Sequence, residues 1–131
     1  MLVRLLICLM LSLLPVTAMA EAQPDSDYVS YIELKPFITN FGGPGKTRFL
    51  KCEISIQVGS PDAHHAVNHH MANIRNDLVF LLSAQTEDSV NTVEAQQQLS
   101  RKALSKVQDL LLDEEGETYV SDLFFTSFVV Q

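Results

Sequence analysis

The stretch 48–58 alternates apolar and polar side chains, and it constrains the fold more than any other feature of the sequence. Its apolar residues are Leu50, Cys52, Ile54, Ile56 and Val58, with lysine, glutamate, serine and glutamine between them. Because successive side chains of a strand point to opposite faces, this period of two predicts a half-buried strand. The fold must therefore supply a second layer that covers one face of a sheet.

The residues before this stretch predict its partner strand. Residues 31–41 are extended in character, and Gly42-Gly43-Pro44-Gly45 follows them. A run of glycine and proline cannot continue a strand, so it marks a turn. Two extended segments on either side of a turn predict a β-hairpin.

A first helix is predicted to start at Ser60-Pro61-Asp62. Serine is a preferred N-cap, proline fits the first helical position, and the acid favours the positive end of the helix dipole. Apolar residues then recur at helical spacing, which predicts one stripe facing the core. They are Val67, Met71, Ile74, Leu78, Leu81 and Leu82.

A second helix is predicted after Thr92, which is a suitable N-cap. Gly116 is predicted to end it, since glycine is favoured just past the last turn. The apolar stripe of this helix consists of Leu99, Ala103, Val107, Leu110 and Leu111.

The last segment, residues 119–130, is apolar on both faces. A strand of this kind is predicted in the middle of a sheet rather than at its edge. The order of elements is then strand, strand, helix, helix, strand. This order predicts an α+β fold, in which a small sheet, made of the hairpin and the C-terminal strand, packs on two helices.

Residues 1–20 have the pattern of a signal peptide, with Arg4, an apolar run at 5–14, Pro15 and the triplet Ala18-Met19-Ala20. An uncleaved membrane anchor is the alternative, but a spanning helix needs about 20 apolar residues. Residues 21–30 are polar and acidic and predict a linker, followed by one domain at 31–131. Export predicts a periplasmic location, either free or associated with the inner membrane.

The charge of the chain argues against nucleic acid as a partner. The formal net charge is −7, and loss of Arg4 with the leader would make it −8. An acidic domain repels phosphate backbones, and no basic stripe is evident in the sequence. Loss of the leader would also remove Cys8, leaving Cys52 without an intramolecular disulfide partner.

Four histidines, at 64, 65, 69 and 70, lie within seven residues of the first helix. Helical geometry places His65 and His69 on one face, whereas His64 and His70 flank the apolar stripe. His65 and His69 could therefore give two ligands to a metal, with water or another subunit completing the site. This hypothesis of a periplasmic metal-binding module competes with that of a solvated helix face, because zinc sites use three or four protein ligands.

No pattern in the sequence indicates catalysis or a cofactor. Cys52 is predicted on the buried face of its strand without an evident base, and no serine lies in a nucleophile-elbow motif. The glycine-rich turn lacks the lysine and hydroxyl residue of a phosphate-binding loop. Arg75 and Asp77 lie off the apolar stripe and are candidate contacts for a protein partner.

Five groups of residues along the chain form a recognisable series: YIELKPF at 31–37 with Asn40, RFLK at 48–51, IRND at 74–77 with LLS at 81–83, Thr86 with 92–101, and FFTSFVVQ at 124–131. In this order, the segments resemble the periplasmic domain of the FliL family of flagellar basal-body-associated proteins. The segment at the end of the chain matches most closely.

This resemblance implies a stomatin-like fold, ring assembly around the stator units of the motor, and support of motility without catalysis. It also implies that partners are stator or basal-body proteins, a second copy, or a membrane-anchored homologue. Two departures stand out: a cleavable leader replaces the usual membrane helix, and Ala95 and Gln96 replace a usual glycine and lysine. A role of the same scaffold in another envelope machine is a further alternative.

Overall fold

The computed structural model describes residues 28–42, 45 and 47–131. The predicted leader at 1–20 and residues 21–27 of the predicted linker lie outside these residues. The strands are β1 (Ser30–Glu33), β2 (Phe37–Phe41), β3 (Arg48–Val58) and β4 (Val120–Val130). The helices are α1 (Pro61–His69), α2 (Met71–Ser83) and α3 (Val93–Glu115), with a short 3-10 helix at Glu87–Ser89.

The long strand β3 is the centre of one antiparallel sheet, which confirms the α+β class. β1 and β2 pair with one side of β3, with Tyr31 opposite Gln57 and Thr39 opposite Leu50. These two strands are successive parts of one edge, interrupted near Pro36, which has no N–H to donate. The Leu34 N–H still bonds to the Ile54 carbonyl at 2.9 Å and so continues the pairing. The predicted antiparallel pairing across the turn is therefore correct.

The predicted position of the last strand is wrong. β4 pairs with β3 and with no other strand among the described residues, so it forms an edge of the sheet. Its register shifts between Glu53 and Ile54 and again between Gln57 and Val58 of β3. Each irregularity changes which face the following side chains occupy. The apolar residues of β4 are therefore distributed over both faces although one edge of the strand is unpaired.

The first predicted helix is divided in two at His70. The predicted cap is present, because the Ser60 hydroxyl accepts from the Ala63 N–H at 3.0 Å. His70 has φ −99° and ψ 15°, which is not helical, and α2 begins at the next residue. The apolar stripe continues across this break, since Val67, Ile74 and other members of it are buried.

The second predicted helix is α3, and it begins and ends where the sequence predicts. The Thr92 hydroxyl accepts from the Ala95 N–H at 3.1 Å. Gly116 adopts a left-handed conformation with φ 81°, and its N–H bonds to the Leu112 carbonyl. Of the predicted stripe, Leu110 is half-buried, and the fully buried members are Leu99, Ala103, Val107 and Leu111.

The helices cover one face of the sheet, and the core lies between the two layers. The alternating set of β3 is buried as predicted, with no member more than 1% exposed. The opposite face exposes several large apolar side chains, which are Tyr31, Ile38, Phe49, Phe124 and Val129. Within the described residues, no helix has the length and apolar character needed to span a bilayer.

Candidate interaction surface

Arg75 of α2 lies against the interruption between β1 and β2. Its guanidinium donates to the Lys35 carbonyl at 2.6 Å and to the Pro36 carbonyl at 3.2 Å. The guanidinium carbon also lies 4.1 Å from the centre of the Phe37 ring. These contacts join a helix to carbonyl groups that have no strand partner, so Arg75 stabilises the packing of α2 on this edge of the sheet.

Asp77, the second predicted contact residue, has a different environment. It lines an open groove between α2 and α3, together with Asn73, Asn76, Asp109 and Asp113. The structure therefore does not bring Arg75 and Asp77 together as one surface: Arg75 bonds within its own chain, whereas Asp77 faces the groove.

The other end of this groove is basic. Arg101, Lys102 and Lys106 line it along α3, and Leu81 contributes an apolar wall from α2. These three residues were not among the contact residues predicted from the sequence. The spacing in the sequence could have indicated them. Lys102 and Lys106, and then Asp109 and Asp113, recur at spacings of three and four, so all four share one side of a helix.

The two predicted metal-binding histidines do stack on one face of α1. The ring centres of His65 and His69 are 6.2 Å apart, and both side chains are exposed. His70 meets His69 edge to face at 4.9 Å. Among the residues that the structure describes, no three His, Cys, Asp or Glu side chains are grouped closely enough to hold a metal ion.

The remaining histidines contact other elements instead. His64 Nδ1 lies 3.2 Å from the Ser30 hydroxyl, which links α1 to β1. His70 Nε2 lies 2.8 Å from a carboxylate oxygen of Glu115, which links the break between α1 and α2 to the end of α3. These histidines therefore connect secondary-structure elements rather than converge on one site.

Cys52 lies on the buried face of β3, as predicted, and is fully buried. Burial raises the pKa of its thiol to about 12, while the positive charge of Arg75 acts in the opposite direction. The thiol is therefore protonated at neutral pH. A protonated, inaccessible thiol is a poor nucleophile.

Tyr119 occupies the turn between α3 and β4, with φ 54°. Desolvation raises the pKa of its phenol, and the nearby carboxylates Glu117, Glu115 and Asp62 raise it further. The phenol is thus neutral at physiological pH, and it packs against the core beside the acidic end of α3.

These features define a class of protein: a small α+β domain whose sheet is covered by helices on one face and open on the other. The model of the family described as "Flagellar basal body-associated protein FliL" matches residues 31–131. The chain belongs to this family. The matched range includes all of the helices described above and nearly all of the sheet.

A curated relative agrees with this assignment. The chain is 27% identical over 96 residues to "Flagellar protein FliL" of Aquifex aeolicus (strain VF5). The alignment covers 73% of this chain and 57% of the relative, so the chain spans little more than half of that protein's length. The family is one of flagellar accessory proteins.

Proposed function

We propose that this protein supports the flagellar motor, in particular its stator units, and thereby cell motility, through protein–protein contacts and without catalysis. The observation that carries the proposal is the family match over residues 31–131, which spans nearly all of the α+β domain. The open face of the sheet and the groove between α2 and α3 are the surfaces that a partner would contact.

The proposed location is the periplasm, either free or beside the inner membrane at the basal body. The proposed partners are stator or other basal-body proteins, including a membrane-anchored homologue. Of the two predicted contact residues, Asp77 is the better candidate, because the Arg75 guanidinium is already bonded to the carbonyls of Lys35 and Pro36. Removal of Arg75 would disturb the fold as well as any contact.

A deletion strain tests the proposal. We expect slower spreading in soft agar and a larger defect in viscous medium, where the motor works under load. Complementation with the wild-type gene should restore motility, and complementation with Asp77→Lys should restore it only in part. The matched control is Asp88→Lys, which changes an exposed acid at the short 3-10 helix.

Two outcomes would count against the proposal. Unchanged motility of the deletion strain in both media would contradict it. A defect in another envelope function with normal motility would assign the scaffold to a different machine.

A further inference from the structure

The two edges of the sheet differ in how far they are protected. One edge consists of β1 and β2, which are only four and five residues long. Pro36 interrupts this edge, and the carbonyls of Lys35 and Pro36 accept hydrogen bonds from Arg75. Short strands and proline are common means by which proteins prevent a further strand from pairing with a sheet. This edge is therefore closed to an additional strand.

The opposite edge, β4, is long and lacks such protection. Its 11 residues pair with β3 on one side and with no other strand in the described part of the chain. Residues 123–131 read LFFTSFVVQ, without a charged residue or a proline. An exposed strand edge presents N–H and C=O groups that pair readily with another chain, and natural proteins usually place lysine or proline there. This part of β4 has neither.

The first residues of β4 are nevertheless closed by polar contacts. The Val120 carbonyl accepts from the Gln108 side chain at 2.8 Å. The Leu123 N–H donates to the carboxylate of Asp122, also at 2.8 Å. The open part of the edge is therefore residues 124–130, which at the rise of an antiparallel strand is about 24 Å long.

The pairing with β3 determines which backbone groups of β4 point outwards. Phe49 and Gln131 exchange two backbone hydrogen bonds, at 2.8 and 2.9 Å. Because bonded and non-bonded residues alternate in an antiparallel pair, Val129 also bonds to β3, whereas Phe128 and Val130 direct their N–H and C=O groups away from it. The register is regular over this stretch. An extended backbone is the structure that pairs with such groups in series.

The side chains beside the open edge are apolar on both faces of the sheet. On the helix side, Phe128 and Val130 pack against the core but are only half-buried. Phe125 meets Phe128 edge to face, with the ring centres 5.0 Å apart. On the open face, Phe124 and Val129 are 40% and 43% exposed. An added strand covers side chains on both faces, so its own residues should be apolar on both.

We propose that residues 124–130 of β4 bind an extended, uncharged and mainly apolar segment of another protein by addition of a strand to the sheet. Backbone hydrogen bonds to Phe128 and Val130 hold the segment, and its alternate side chains cover the two faces. This surface is distinct from the open face and the groove named above. The proposal does not depend on the flagellar role, because the unprotected edge belongs to the domain itself.

Amide hydrogen exchange of the purified protein, followed by NMR, tests the geometry of the edge. The N–H groups of Phe128 and Val130 should exchange at least about 10-fold faster than that of Val129, because only Val129 bonds to β3. Equal protection at all three positions would show that the edge is already covered, by a second copy or by another part of the chain. That result would contradict the proposal.

A phage library of random peptides supplies a probe for the binding test. Peptides of about 12 residues are long enough to span the open edge. We expect the enriched peptides to have a central run of β-branched and aromatic residues without charges. When the tightest of them is synthesised and added in excess, it should slow exchange of the Phe128 and Val130 amides by about 10-fold or more.

A matched pair of variants at Val130 tests the backbone contact. Val130→Pro removes the outward N–H, whereas Val130→Ala also replaces the valine side chain but keeps the N–H. We expect the selected peptide to bind Val130→Pro at least about 10-fold more weakly than Val130→Ala. Circular dichroism checks that both variants are folded.

A second pair places lysine at exposed positions of the two edges. Thr126→Lys lies on the open edge, and Asn40→Lys lies on the closed one. Only Thr126→Lys should weaken binding of the peptide, and this pair decides the question if Val130→Pro does not fold.

Two further results would overturn the proposal. If the wild type enriches no peptide, the edge does not accept a strand. If the enriched peptide binds Thr126→Lys as tightly as the wild type, it occupies a different surface.

Discussion

The guanidinium carbon of Arg75 lies 4.1 Å from the centre of the Phe37 ring, and the same guanidinium donates to the carbonyls of Lys35 and Pro36. Phe37 is 1% exposed, so this contact closes one end of the core. The contact joins two segments that resemble the FliL family, at 31–37 and 74–77. These two segments are far apart in sequence but lie next to each other in the fold. Each segment therefore supplies one side of the same stabilising contact.

Substitution of Arg75 should reduce stability rather than only remove a surface charge. Arg75→Ala removes two charge-assisted hydrogen bonds and the contact with the Phe37 ring. We expect a loss of about 2 kcal/mol in the free energy of unfolding by urea denaturation. Arg75→Lys should recover only part of this, since one ammonium group lacks the planar fork that reaches both carbonyls.

The control for this prediction is Arg101→Ala, which truncates an exposed arginine of α3. It should change the free energy of unfolding by less than about 0.5 kcal/mol. Equal stabilities of Arg75→Ala and Arg101→Ala would show that the contacts of the Arg75 guanidinium contribute nothing to the stability of the fold.

Thr39 offers a stabilising substitution. It is 6% exposed on the inward face of β2, and its hydroxyl has no hydrogen-bond partner within the described residues. Thr39→Val keeps the shape and removes an unpaired buried polar group, so we expect a gain of about 1 kcal/mol. Thr126→Val, at an exposed position of β4, should have little effect. A loss of stability in Thr39→Val would mean that the hydroxyl is bonded.

Cys52 should be unreactive until the protein unfolds. Because burial raises the pKa of its thiol to about 12, a thiol reagent at pH 8 should label Cys52 only in denaturant. Peptide mapping can measure the labelling of Cys52 separately from that of Cys8. The raised pKa also links folding to pH. The stabilisation that comes from this shift is complete below 9.0, the pKa of the thiol in the unfolded chain. It is lost as pH rises towards about 12, the pKa in the folded protein. Labelling of Cys52 in the native protein at pH 8 would contradict the prediction that the buried thiol is unreactive.

The end of α3 depends on glycine. Gly116 has φ 81°, where a side chain is strained even though a Cβ would meet nothing within 4 Å. Gly116→Ala should therefore cost about 1 kcal/mol through backbone strain alone. Gly59→Ala, at a glycine outside the left-handed region, should cost less. Equal costs at the two positions would contradict the role of the left-handed cap.

Much of the fold could be predicted from local patterns. The period of two in β3, the caps at Ser60 and Thr92, and the stop at Gly116 are all present as expected, because each depends on residues close in sequence. The edge position of β4 could not be predicted in this way. The register shift between Phe125 and Ser127 alters the alternation, so Phe125 and Phe128, three residues apart, both pack against the core, while Phe124 is 40% exposed.

The features of the candidate surface depend on contacts between distant residues. The break at His70 has no proline or glycine to indicate it, and the His70 ring bonds to Glu115, 45 residues away. Arg75 was identifiable as polar and off the apolar stripe, but its bonds to carbonyls 39 and 40 residues earlier carry no local signal. The basic end of the groove becomes visible only when α2 is placed beside α3.

The central claim, a role at the flagellar basal body, is tested most directly by finding where the protein is. Basal bodies can be isolated from cells that produce the epitope-tagged chain and analysed by quantitative mass spectrometry, with an unrelated periplasmic protein as the reference. We predict enrichment of the chain with the basal body, and loss of that enrichment in a strain without the stator proteins. Equal recovery of the chain and the reference protein would contradict the proposed role.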